Sequence, residues 1–175
     1  MSDQNSLAPS TAIEVANEFI TLGLKEGIPI DQMKLQKLVY YAHAWHLALT
    51  QRPLFEEDIE AWPWGPVVRN IYIQTQHYGR DPISTKLRQL VSKNDDSLVT
   101  SDFVTPHGVK DELKGFIEKI WNTHKKYTGI QLSNSTHADG EPWFIVSQCY
   151  DLDHQKPSIP NSLIRDVFIK KINHE

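Results

Sequence analysis

Apolar residues recur at helical spacing through most of the chain. Ile13, Ala16, Phe19, Ile20 and Leu24 keep one such register behind Thr11, and Thr11 with Glu14 makes the Thr-x-x-Glu pairing that starts a helix. Gly27 supplies the stop. Asp31 can cap a second helix through Lys34 to Thr50, whose stripe of Leu35, Leu38, Val39, Ala42, Trp45 and Leu49 belongs deep in a core. Ile59 to Trp62 is too short for a helix and alternates like a strand. Trp64-Gly65-Pro66 reads as a turn that delivers Pro66 to the first turn of a third helix, continued by Val67, Val68, Ile71, Tyr72 and Tyr78 and ended at Gly79. The polar stretch Ser92 to Ser101 reads as a connector or as the turn of a weak hairpin.

The second half repeats the helical pattern. Pro106 to Lys125 carries Val109, Leu113, Phe116, Ile117, Ile120 and Trp121 on one side. Thr128 can cap a short helix from Gly129 to Thr136, and the turn from His137 to Trp143 feeds another helix that begins near Pro142. Leu163, Ile164, Val167, Phe168 and Ile172 form a last amphipathic segment behind Pro160-Asn161-Ser162. The predicted fold class is mainly α: a single compact multi-helix domain with a minor short β-hairpin or strand element. No repeat of solenoid length interrupts it.

Composition narrows the function. The chain has 175 residues, 18 Lys plus Arg against 22 Asp plus Glu, a formal net charge of -4, and one cysteine. Bases are interspersed with acids and the best basic cluster is the short Lys170-Lys171, which weighs against nucleic acid as a partner. Cys149 alone can make no internal disulfide, and burial as a small apolar group is its expected role. No window offers a membrane span, and the first ten residues lack the order of a signal peptide, so the expected location is cytoplasmic.

Two clusters could carry chemistry. His43 and His46 lie three apart on the second helix, but no carboxylate or third ligand accompanies them, and packed, hydrogen-bonded histidines are the expectation. His137, Asp139 and Glu141 alternate ahead of Trp143 and could hold a divalent cation for a metal-dependent hydrolase. The plainer reading is a turn with acids near a helix start, so no metal, cofactor or catalytic residue is assigned. The run Trp62-Pro63-Trp64-Gly65-Pro66 is a rigid aromatic corner. Trp62 is expected to pack in the core, and Trp64 either to pack or to anchor a partner.

The segment Lys34 to Trp45, with Pro53-Leu54-Phe55, Ile59 to Trp62 and Gly65 to Val68, resembles the Panacea domain, the SocA-like antitoxin family also met in phage-associated GepA-like proteins. Leu132-Ser133, Thr136-His137 and Glu141-Pro142-Trp143 resemble a second segment of that family, here with Asp139 and Gly140 in its longer form. The resemblance implies a flexible N-terminus at residues 1–10 and the domain over 11–175, with no room beside it for the helix-turn-helix some relatives carry. It further implies an antitoxin of a bacterial or prophage pair that sequesters a toxin encoded beside it. That toxin would be a translation-blocking enzyme similar to small alarmone synthetases; the alternative is an adaptor delivering the toxin to a Clp protease. Glu56, Glu57, Asp58, Trp64, Arg69, Tyr72, His137 and Trp143 are the toxin-binding candidates, the acids because a basic toxin would be steered by them.

Overall fold

A computed structural model describes residues 9–95, 98–106 and 108–173. Among these residues seven α-helices and four strands occur: α1 (Ala12–Glu26), α2 (Gln32–Thr50), β1 (Glu60–Trp62), β2 (Gly65–Val67), α3 (Arg69–Thr75), β3 (Gln89–Asp95), β4 (Leu98–Val104), α4 (Asp111–His124), α5 (Gly129–Thr136), α6 (Pro142–Ser147) and α7 (Asn161–Asn173). The strands form two separate antiparallel pairs, β1 with β2 and β3 with β4. The mainly helical class with a minor β element is therefore borne out. No helix among the described residues is long and apolar enough to cross a membrane.

Local chemistry starts the helices where the sequence places the caps. The Thr11 hydroxyl accepts from Glu14 N–H while the Glu14 carboxylate accepts from Thr11 N–H, so two orphan donors of the first turn are satisfied reciprocally. Asp31 caps α2 through Lys34 N–H, Thr128 and Gln131 cap α5 in the same reciprocal way, and Pro142 opens α6. Gly27 ends α1 at φ 66, where its N–H reaches back to Gly23 and Leu24 carbonyls.

α2 is the axis of the fold. It packs against α1, α3, α4, α5, α7 and β2, and every residue from Lys34 to Ala44 is buried. A helix enclosed on all sides has no solvated face for its polar side chains, so most find a partner inside, the buried Tyr40 hydroxyl being an exception among the described residues. Lys34 Nζ donates to the Lys125 carbonyl at 2.7 Å, beyond the end of α4. Gln36 grips residue 68 twice, donating to its carbonyl at 3.1 Å and accepting from its N–H at 2.9 Å. Lys37 Nζ donates to the Pro66 carbonyl at 3.2 Å, and His43 Nε2 meets Asn161 Oδ1 at 2.8 Å at the start of α7. Around this axis Phe19, Leu35, Leu38, Ile71, Trp121 and Phe168 are among the fully buried apolar groups. Phe168 sits edge-on to Tyr40 at 6.1 Å and to Trp45 at 5.0 Å between centroids.

Several expectations are corrected. Pro66 lies in β2, opposite Ala61, not in the first turn of a helix. Gly65 at φ 106 lets the chain reverse, and the two hydrogen bonds between the Gln36 side chain and the Val68 backbone hold Val68 extended, which delays α3 to Arg69. α4 begins at Asp111 instead of Pro106 because Gly108, at φ 104, breaks the path. Leu49 is 62 % exposed, since the last turn of α2 runs past its neighbours before ending at Gln51. Trp45 and Trp62 are only partly buried. Cys149 is exposed, because α6 stops at Ser147 and the chain turns outward. Ser92 to Ser101 belongs to the β3–β4 hairpin, with residues 96 and 97 outside the described residues. The expected flexible N-terminus lies outside them up to Ala8, while Ser10 is buried and bridged to Phe55.

Removal of the Phe168 ring should leave a cavity against α2 that the enclosed helix cannot collapse into. Phe168→Ala is expected to cost about 3–5 kcal/mol, read from urea unfolding of the purified chain.

Candidate functional site

The aromatic corner is a two-residue hairpin loop. Trp62 pairs with Gly65, leaving Pro63 and Trp64 at the tip. Three side chains from three helices bind its carbonyls in alternation: Trp143 Nε1 of α6 donates to Trp62 O at 2.8 Å, Ser133 Oγ of α5 donates to Trp64 O at 2.8 Å, and Lys37 Nζ of α2 donates to Pro66 O. Gly65 closes tightly over the last of these. A Cβ at position 65 would meet Lys37 Cε at 2.7 Å, Lys37 Nζ at 2.8 Å and Thr136 Oγ1 at 2.9 Å, so these groups would have to shift, and the positive φ adds strain for any other residue.

The two corner indoles have different environments. Trp62 is held by its own surroundings: its Nε1 donates to Glu60 Oε2 at 2.7 Å, Tyr72 tilts against it at 4.6 Å, and the Arg69 guanidinium lies 5.5 Å from its ring centroid. Arg69 itself forks onto both carboxylate oxygens of Glu60, at 2.9 and 2.8 Å. Trp64 is 71 % exposed. The ring is therefore not packed in the core.

Beside the tip opens a cleft of about 560 Å³, bounded by the start of α2, by the corner and Tyr72, by Arg80, and by Ile130, Ser133 and Asn134 of α5. Its size falls within the range of small-ligand or peptide pockets. Lys37 forms part of its wall and is 1 % exposed, yet it takes part in none of the ion pairs among the described residues. Burial without a counter-charge pulls its pKa down to about 7.

The sequence profile described as "Antitoxin SocA-like, Panacea domain" matches residues 35–144, which include α2, the corner, α5 and the start of α6. The chain belongs to this family. It is also similar to Antitoxin SocA of Caulobacter vibrioides (strain NA1000 / CB15N), with 32 % identity over 133 residues that cover 76 % of this chain and 68 % of that protein. No solved structure gives a significant match. The resemblance drawn from the α2 segment and the Thr136 to Trp143 segment is borne out.

In this Panacea domain the second segment packs beneath the first. His137 stacks on Trp143 at 3.8 Å between centroids and 10° between planes, and burial, aided by Lys37, lowers its pKa. Glu141 is ion-paired with Lys171 of α7, and Asp139 is exposed in the turn. His137 and Glu141 are thus directed to separate partners while Asp139 faces solvent, and no group of three or more His, Cys, Asp or Glu among the described residues is placed to hold a metal ion. His43, packed on Phe55 at 4.2 Å, and His46, bonded to the Arg52 carbonyl at 2.8 Å, are the packed and hydrogen-bonded groups expected.

The toxin-binding candidates divide by position. Trp64 and Tyr72 line the cleft, whereas Trp143 and His137 brace the corner from behind and Arg69 orients Trp62. Glu56, Glu57 and Asp58 do not line it. Glu57 accepts from Ala12 N–H at 2.9 Å at the start of α1, Asp58 accepts from Ser158 Oγ, and Glu56 is exposed. Lys37 and Ile130 were missed. A lysine at the centre of an all-round buried helix leaves one trace in the sequence: Gln36-Lys37 stands between Leu35 and Leu38, where no polar face is continued.

Lys37 gives the fold a pH signature. Unfolded, a lysine holds its proton to about pH 10.4, whereas in the fold it releases it near pH 7. Above pH 7 the unfolded state therefore binds the extra proton, and stability rises with pH by up to about 1.4 kcal/mol per unit until pH nears 10. Lys37→Met removes this term. The stability difference, variant minus wild type, is expected to fall steadily between pH 7 and 9 in urea titrations.

Proposed function

We propose that the protein is the antitoxin of a toxin–antitoxin pair and that it neutralises a toxin encoded beside it by direct binding. Membership of an antitoxin family supports the role. The observation that carries the binding mode is Trp64, a large apolar ring left 71 % exposed on a loop fixed by three helices. Rigid aromatic anchors lose little entropy on binding and dominate the energy of many interfaces. The corner and the adjoining cleft are the surface we assign to the toxin.

The toxin class implied by the family resemblance is a translation-blocking enzyme similar to small alarmone synthetases. Such an enzyme binds phosphates and exposes basic surface, and the net charge of -4 on this chain favours encounter with it. Sequestration accounts for neutralisation with two proteins alone. Delivery to a Clp protease needs a third.

The adjacent open reading frame is the material for the test. Its expression alone should arrest growth, co-expression with the wild-type chain should restore it, and the two proteins should co-purify. Trp64→Ala should keep its thermal midpoint and lose at least tenfold in affinity for the toxin. Toxicity that persists under co-expression would refute the antitoxin role. Rescue that fails only in cells lacking Clp, with the toxin accumulating, would replace sequestration by delivery.

A further inference from the structure

A lysine buried to this degree with no carboxylate partner is costly, because no opposite charge in the fold offsets the loss of hydration. An apolar residue of the same length would fill the space at less cost. The hydrogen bond to Pro66 O accounts for one of the three donors of the ammonium and supplies no counter-charge. The surplus cation stands in the wall of a cleft wide enough for another chain's side group.

The lining holds two bases, Lys37 and Arg80, against one acid, Asp31. Arg80 is exposed at the cleft and makes no ion pair among the described residues. Asp31 is the one acid there, and its Oδ1 is committed to Lys34 N–H at 2.7 Å. The cleft thus opposes the sign of the whole molecule. Around it Trp64, and Ile130 at 65 % exposed, offer apolar contact.

We propose that this cleft receives a carboxylate of the toxin, an Asp, Glu or chain-terminal group, which pairs with the Lys37 ammonium while a neighbouring apolar side chain of the toxin rests on Trp64 and Ile130. The proposal rests on the antitoxin reading for the source of the carboxylate. Charge complementarity selects the carboxylate, and the exposed aromatic and aliphatic rim selects its apolar neighbour. Lys37 is then held unpaired by the fold so that the complex can pair it. The same side chain would lower the stability of the free protein and raise the affinity of the bound one.

Two arms test this. In the first, the purified chain is titrated with 3-phenylpropionate and, separately, with 3-phenylpropionamide, followed by tryptophan fluorescence. The acid should bind at least tenfold more tightly than the amide, and the preference should vanish in Lys37→Met. In the second, Lys37→Met should lose at least tenfold in affinity for the toxin although it is at least as resistant to heat as wild type at pH 7, an outcome a merely structural lysine would not produce. Equal binding of acid and amide by the wild-type chain, or full toxin affinity in a folded Lys37→Met, would overturn the proposal. Should Lys37→Met not fold, the wild-type acid–amide comparison and the toxin affinity of the exposed-site variant Ile130→Ala decide it, with no acid preference or no loss of affinity counting against. A Lys37-dependent acid preference in a chain that rescues no toxin would defeat the antitoxin reading and leave the carboxylate site in place.

Discussion

Most of the helices in this fold are arranged around one helix whose central segment has no solvated face. From Lys34 to Ala44 the α2 segment is buried, and four of its polar side chains cannot reach water. Burying such groups is tolerable only when each is hydrogen-bonded. Here each bonds to a different peripheral segment: the end of α4, residue 68 ahead of α3, the β2 strand and the first residue of α7. The polar positions of the axis therefore specify where the surrounding elements dock. Apolar contacts alone would let those elements slide, whereas a buried donor satisfied at one place only fixes the register.

The corner is a product of that arrangement. β1 and β2 have three residues each, too short to be stable as an isolated hairpin. Their tip is held by donors from α2, α5 and α6, and the indole of Trp143 spends its single N–H on Trp62 O. The stability of the strands is thus borrowed from the helices behind. The family profile spans the same parts, from Leu35 on α2 to Phe144 on α6, so the matched sequence and the clamped corner are one structure seen twice.

Much of this was legible because it is local. Thr11 with Glu14, Asp31, Thr128 and Pro142 announce helix starts through groups within three residues of each other, and the structure keeps all four. What sequence spacing could not show depends on contacts between distant residues. Pro66 looked like a helix start because the Gln36 side chain that holds Val68 extended is about thirty residues away. Glu57 looked like part of an acidic surface, yet one of its oxygens is used at Ala12. Lys37 was invisible as a site, since helical periodicity assigns a lysine to solvent unless the helix is known to be enclosed. Whether the Trp64 ring packs or faces solvent could not be read from its place in the turn, because its exposure depends on how α5 and α6 hold the loop from behind.

The clamp on the corner acts through main-chain carbonyls and never through the Trp64 ring. Position 64 is therefore decoupled from the architecture that displays it: the loop keeps its shape whatever side chain it carries there. Such a site behaves as an interchangeable tip on a fixed handle. The residue at the apex can therefore change while the buried lysine, the glycine above it and the bracing tryptophan stay as they are.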